Sequence, residues 1–423
     1  MLKELTIQNY KSINQEVIFS MEADTERVSE YPNHIITLNN NKLLKVASMY
    51  GPNGGGKTNI LDALVLIKNI VLYNSLPVNY SQKNISCEFS NSNITTETVF
   101  FVTEKYEIGY KFDTTLNISQ QNSIDINGNK ISYFIRNYIL KYESVIFKEK
   151  NKNDFITLFE RDEKGNITSE LLDKLEINYS KVINENLSAI TYLYNTFVNI
   201  LNIQHIEYDV LMNLYQEINN IFDLEVTNIN IGVALNAINA NKDKLIKLLN
   251  DVDIKINDIV ISKNDKLSPI KFERIINVNN NEEKKYISLQ DESKGTKKIF
   301  WMFVNLLNEN TKSHIFICDD MNAYLHPKLY KTIIEIFNLE KNKNKQLIFN
   351  SHDIINMTNE LFRRDEIWLV YRDDNYSTKL VPLSNIVNYK GEQVRKDAKY
   401  YKQYLEGRYG ADPFIKKGLN WYE

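Results

Sequence analysis

Cysteine is nearly missing from this chain: Cys87 and Cys318 are the only two in 423 residues. Two thiols so placed build neither a disulfide framework nor a Cys-x-x-Cys metal site, and a reducing, cytoplasmic setting is expected. No run of about 18 apolar residues occurs, which argues against a membrane-spanning helix. The opening MLKELTIQNYKSI is charged throughout and has no apolar stretch of signal-peptide type. Neither charge dominates: 51 Lys+Arg against 54 Asp+Glu leave a formal net charge of −3. That balance excludes a polyelectrolyte and still permits a local basic groove. Sustained heptads and internal repeats are also lacking, so a long coiled-coil arm is excluded.

What remains is globular, with 43% hydrophobic and 25% charged residues. The length suits two or three domains, or one domain with a large insertion. Leu5 and Ile7 alternate with polar neighbours, and 16–21 reads as an antiparallel return. The apolar run 43–50 has the pattern of a strand covered on both faces. It leads into 51–58, and Ile60, Leu61, Leu64, Ile67 and Val71 then follow at helical spacing. Short β-type runs from about 97 to 148, with turns such as 127–129, predict an antiparallel meander. The Asn-, Lys- and Leu-rich stretch after it, notably 181–222 and 233–250, predicts helices. From 296 onward, helix (296–307), strand (314–319), helix (328–337) and strands (346–351, 366–372) alternate, which predicts a largely parallel sheet. The division expected is 1–148 and 285–423 as two parts of one α/β head, with 149–284 a mainly helical insertion.

The sharpest motif is Gly51-Pro-Asn-Gly-Gly-Gly56-Lys57-Thr58, a full G-x-x-x-x-G-K-[ST] loop between strand and helix. Such glycines let backbone N–H groups close around phosphates at a helix N-terminus. Lys57 supplies a cation to the phosphates and Thr58 a hydroxyl to Mg²⁺, so a nucleoside triphosphate is the expected ligand. Gly51, Asn53, Gly54, Gly55, Gly56, Lys57, Thr58 and Asn59 are the contact residues expected. In His314-Ile-Phe-Ile-Cys-Asp319-Asp320 an apolar strand ends in acids. Asp319 is placed to orient Mg²⁺ through water, and Asp320 to act as general base on an attacking water. Ser293 and Gly295 open the helix 296–307, where they either cap it or present N–H groups to an anion.

The order of these motifs, followed by Tyr324-Leu325-His326-Pro327 and by Ser351-His352 at a strand end, resembles the ABC-type ATPase head shared by SMC/RecF proteins and the OLD-like ATPases of bacterial phage defence. The opening Ile7-Gln-Asn9-Tyr10-Lys11-Ser12-Ile13 is similar to their N-terminal strand motif. The stretch 404–413, YLEGRYGADP, resembles the ending of RloA/AbiL-type abortive-infection ATPases. The resemblance covers about 1–145 and 285–423. It implies an α/β fold of ABC/SMC type, a mixed sheet with an antiparallel lobe, and a homodimer or higher even oligomer closed head-to-tail on ATP. Lys57, Thr58 and Asp319 of one chain would face Ser293 and Gly295 of the other. His352 would be the switch residue sensing the γ-phosphate, Lys11 would approach the nucleotide, and Glu143 would take a metal-sensing position in the middle lobe.

One departure stands out: the family's Asp-Glu is Asp319-Asp320 here, and no glutamine is assignable to its Q-loop. A carboxylate one methylene shorter holds water less well, so slow turnover is expected. The resemblance implies an ATPase that regulates a separately encoded effector, a nuclease or toxin of Toprim- or RloB-like kind, because the 71 residues after His352 are too few for a fused nuclease. A DNA-clamping repair ATPase of RecF type is the alternative, with DNA as a candidate partner. A scaffold that binds ATP without hydrolysing it, and a phosphotransferase, complete the readings.

Overall fold

The computed structural model describes residues 1–411 except 25–30, 75–92, 125–129, 176–178, 180, 183, 185, 199–204, 224–230, 263–268, 280, 308–313 and 388–390. The turn at 127–129 and the Asp412-Pro413 end of the C-terminal motif therefore lie outside the described residues.

Strand β1 (Leu2–Gln8) buries Leu2, Leu5 and Ile7 and returns through a tight turn to β2 (Val17–Ser20). A hairpin of β3 (Ile35–Leu38) and β4 (Asn41–Leu44) precedes β5 (Val46–Tyr50), which feeds the glycine loop and α1 (Lys57–Lys68). The run 43–50 is therefore two strands. The break falls at Lys45, whose ammonium donates to the Leu339 carbonyl at 2.8 Å. Next come β6 (Ile94–Val102), β7 (Tyr106–Ile124), β8 (Lys130–Glu149), β9 (Ile156–Arg161) and β10 (Ile167–Thr168). They complete an antiparallel sheet of order β10-β9-β8-β7-β6-β1-β2.

Helices α2 (Ala189–Val198) and α3 (Ile206–Asn219) lead to β11 (Ile221–Asp223), and α4 (Ile231–Asp251) leads to a small sheet of β12 (Asp258–Ile261), β13 (Ile270–Val278) and β14 (Asn281–Ser288). The segment 149–284, expected to be mainly helical, thus also gives strands to three sheets. β9 extends the antiparallel sheet as the next neighbour of β8, whereas the partner of β11 is the strand at 314–318, so tertiary context makes β11 a strand.

The last third holds α5 (Lys294–Leu307), β15 (His314–Cys318), α6 (Pro327–Asn338), β16 (Lys345–Asn350), β17 (Ile367–Arg372), β18 (Thr378–Pro382) and α7 (Tyr400–Leu405). The second sheet runs β11-β15-β16-β5-β17-β18, parallel except for β18. Its strands are apolar on both faces because each face meets a core. Ile315 and Ile317 pack with α1 and the antiparallel sheet, while Phe316 and Cys318 pack with α5 and α6. β16 lies between β5 and β15, so the glycine loop, Asp319 and His352 emerge from one sheet edge. Ligands of open α/β sheets bind at that carboxyl edge. No helix among the described residues is long and apolar enough to cross a membrane.

Candidate nucleotide-binding site

The glycines of the loop are required by their surroundings. A Cβ at Gly51 would lie 1.8 Å from the Val370 carbonyl oxygen, and one at Gly56, where φ is +110°, would lie 2.1 Å from Thr378 Oγ1. The loop is therefore pressed onto β17 and β18. Lys57 Nζ donates to the carbonyls of Gly51 at 2.9 Å and Pro52 at 3.0 Å. Burial holds the Lys57 pKa below the usual lysine range, with Asp320 and Asp319 pulling the other way.

Thr58 Oγ1 donates to both carboxylate oxygens of Asp319, at 3.1 and 3.2 Å. Asn350, at the end of β16 and fully buried, donates its amide to Asp319 and accepts from the Asp320 N–H at 2.5 Å. That one side chain fixes the Asp319-Asp320 pair against the neighbouring strand. Asp320 has φ +41°, an uncommon conformation for a residue with a side chain. Its carboxylate stands 3.6 Å from His352 Nε2. Asn322 Oδ1 accepts from the His352 N–H at 3.0 Å and the Ser351 hydroxyl at 3.1 Å. The His352 pKa is lowered, chiefly by burial and then by the Lys57 charge, against the pull of Asp320 and Asp319.

The structure thus brings Lys57, Thr58, Asp319, Asp320 and His352 into one cluster. Asn350 and Asn322, which hold it in shape, escape a reading of the sequence because an amide after an apolar run carries no motif. Asn59 reaches Ser12 Oγ at 2.6 Å, which in turn is 2.7 Å from Thr378 Oγ1. Lys11 has φ +50° and pairs with Asp62 on α1. Ser293 and Gly295 stand at the start of α5, which meets the Asp320–Tyr324 turn through Lys298 Nζ and the Asp320 carbonyl at 2.9 Å. Ser293 Oγ accepts from the Thr296 N–H at 3.1 Å as a helix cap, and a Cβ at Gly295 would sit 2.5 Å from the Tyr324 carbonyl oxygen. Among the described residues no hydrogen bond links Ser293 to the glycine loop of its own chain. His326 Nδ1 caps α6 by accepting from the Lys328 N–H at 3.2 Å. Glu143 is fully buried and takes bonds from Tyr110 at 2.8 Å, Ser188 at 2.6 Å and the Ala189 N–H at 2.9 Å. It holds the β lobe to α2, and these partners, with Arg161 at 3.3 Å, all belong to the lobe or to the start of α2.

These residues fit a magnesium nucleotide. A hydroxyl beside a carboxylate is an oxygen donor set for a hard cation that takes its other ligands from phosphates and water. No cluster of three or more His, Cys, Asp or Glu side chains suited to a metal occurs among the described residues, so an all-protein metal cage is not what this edge offers.

A glycine loop entering α1, an acid-ended strand one place removed across β16, and a separate antiparallel lobe define an α/β P-loop fold. The sequence matches the family described as "AAA domain, putative AbiEii toxin, Type IV TA system" over residues 46–356, well over half of the chain, and the chain belongs to that family. The match runs through 149–284, where no motif was legible, and stops before β17 and β18. No curated protein matches the sequence. Among solved structures, the chain is similar to the SMC head domain from Thermotoga maritima, with 13% identity and a TM-score of 0.38 over 90% of this chain and 98% of that one. It is also similar to an SMC head bound to the C-winged helix domain of ScpA, with 13% identity and a TM-score of 0.40 over the same shares, 90% and 98%.

Proposed function

We propose that this chain binds ATP with Mg²⁺ at the 51–58 loop and hydrolyses it slowly to ADP and phosphate. The observation that carries this reading is the apposition of Thr58 Oγ1 and the Asp319 carboxylate beside Lys57. Lys57 binds the phosphates together with the backbone N–H groups of the loop. Thr58 and Asp319 hold the cation, which when bound neutralises charge on the β- and γ-phosphates. Asp320 takes the proton of the attacking water, and His352, held 3.6 Å from it, contacts the γ-phosphate.

Two copies close head-to-tail, so that Ser293 and Gly295 of one complete the site of the other. The exposed position of Ser293, away from its own glycine loop, supports this arrangement. The family description supports a toxin–antitoxin or abortive-infection setting, in which the ATP-bound dimer acts as a switch on a separately encoded effector, a nuclease or toxin. The order of the motifs and the stretch 404–413 support OLD/RloA-type kinship. The DNA-clamp alternative predicts ATP-dependent DNA affinity with a steep salt slope.

The test is the solution mass by light scattering with and without Mg-ATP. ATP is expected to double the mass of the wild type. Asp320→Asn should hold the larger species, and Lys57→Ala should never form it. A mass indifferent to ATP, with ATP bound, would overturn the sandwich.

A further inference from the structure

The turn after β15 holds two residues in the left-handed region, Asp320 with φ +41° and Tyr324 with φ +65°. A residue with a side chain keeps that conformation only where its surroundings enforce it. At Asp320 both backbone groups are held. The N–H donates to Asn350 Oδ1 at 2.5 Å, and the carbonyl accepts the Ala323 N–H at 2.8 Å and the Lys298 ammonium at 2.9 Å. The Asp320 side chain is left 53% exposed, open to water and 3.6 Å from His352 Nε2.

Lys298 reaches that carbonyl from α5. Ile299, Phe300, Met302 and Phe303 bury this helix in the core that also holds Phe316 and Cys318 of β15, so it is a fixed platform beneath the turn. Its first turn presses on the same loop. A Cβ at Gly295 would meet the Tyr324 carbonyl oxygen at 2.5 Å, and Lys294 Nζ donates to the Tyr324 hydroxyl at 3.2 Å. Of these α5 contacts, the Lys298 bond is the one that falls on Asp320 itself. An ammonium donor gives a carbonyl a stronger bond than a neutral N–H does.

We infer that Lys298 is a positioning residue for hydrolysis, which holds Asp320 in the left-handed conformation that aims its carboxylate at the attacking water. The inference rests on the role of general base proposed above for Asp320. Without the Lys298 donor the Asp320 carbonyl keeps the Ala323 N–H, so the turn survives, but α5 no longer enforces the backbone angles of Asp320. A displacement of about 1 Å at a catalytic group can cost about 10²-fold in rate. Binding of the nucleotide by Lys57, Thr58 and Asp319 does not call on Lys298.

The test variant is Lys298→Met, which keeps the apolar stem and removes the donor. Its kcat for ATP hydrolysis is expected to fall about tenfold or more, while KM and the ATP-dependent doubling of mass stay as in the wild type. Lys298→Arg keeps a cationic donor and should recover most of the rate. Lys297→Met is the charge-matched control: Lys297 Nζ donates to the Gln290 carbonyl at 2.9 Å, away from Asp320, and its loss should leave kcat unchanged. Hydrogen exchange, measured without nucleotide, should quicken at the amides of 320–325 in Lys298→Met and not in Lys297→Met. Wild-type kcat or unchanged exchange in Lys298→Met, or an equal loss of rate in Lys297→Met, would overturn this inference and leave the ATPase reading standing. A wild type that hydrolyses no ATP would overturn both.

Discussion

The hydroxyl of Thr378 donates to the carbonyl of Gly55 at 2.9 Å, tying the last strand of the mixed sheet to the glycine loop. A carbonyl can only accept, so the Thr378 proton is committed and Ser12, 2.7 Å away, donates to Thr378 in turn. Asn59 at the start of α1 donates to Ser12 at 2.6 Å, closing a chain of hydroxyls around the loop. Thr378→Val keeps the shape and removes the donor. An unpaired buried carbonyl costs about 1–3 kcal/mol. If that loss falls on the loop's bound shape, ATP affinity drops by about tenfold or more, since about 1.4 kcal/mol is a factor of ten. Calorimetric titration should show this, and Thr378→Ser should restore binding. Wild-type affinity in the valine variant would mean that the loop holds itself.

Thr58 and Asp319 test the metal assignment. Asp319→Asn should leave nucleotide binding measurable and flatten its dependence on Mg²⁺, and Thr58→Val should do so to a lesser degree. A magnesium titration of ATP affinity decides between this and a purely structural hydrogen bond.

His352 offers a pH test. Burial and the Lys57 charge place its pKa below the usual 6.5, so the folded chain resists protonating it. Any stability it contributes is complete above pH 6.5 and is lost as pH falls through the window below, a small effect for a side chain 42% exposed. Titration of the imidazole by NMR should give a midpoint under 6.5. Lys57→Ala should raise that midpoint and Asp320→Asn lower it further, and opposite shifts would break the proposed cluster.

Asp320 should set the rate. Asp320→Glu restores the reach of a longer carboxylate and is expected to raise steady-state ATP turnover about tenfold or more. Unchanged or slower turnover would remove the shorter side chain as the cause of slow hydrolysis, and a fast wild type would remove the premise.

Glu143 and Arg161 are both fully buried, 3.3 Å apart, with burial pushing the Glu143 carboxyl pKa up and Arg161 opposing it. Removing either partner leaves the other's buried charge without its counter-ion. Arg161→Met or Glu143→Ala should each cost about 3–5 kcal/mol in urea unfolding, and the double variant Glu143→Gln/Arg161→Met distinctly less than the sum. Additive losses would show the pair to be uncoupled.

Where the chemistry is local, the sequence already carried it. Gly51–Thr58 between an apolar strand and a helix, and Asp319-Asp320 at the end of a buried strand, are legible because backbone geometry over a few residues dictates those residue types. The apolar runs 314–319 and 346–351 likewise foretold strands, and the run 43–50 a strand covered on both faces. The helical reading of 149–284 was incomplete for the opposite reason in one place: the short β11 is a strand because β15, some 94 positions away, pairs with it.

The sequence by itself therefore determined a phosphate-binding loop, the acids opposite it and a two-faced sheet to carry them. Only the tertiary structure decided which ordinary polar residues serve the loop. Ser12 and Thr378 are 366 positions apart, and Asn350 is 31 from Asp319. Hydroxyls and amides are common and have no fixed spacing across a sheet. Their partners are set by strand order and register, which long-range packing chooses and local composition does not encode.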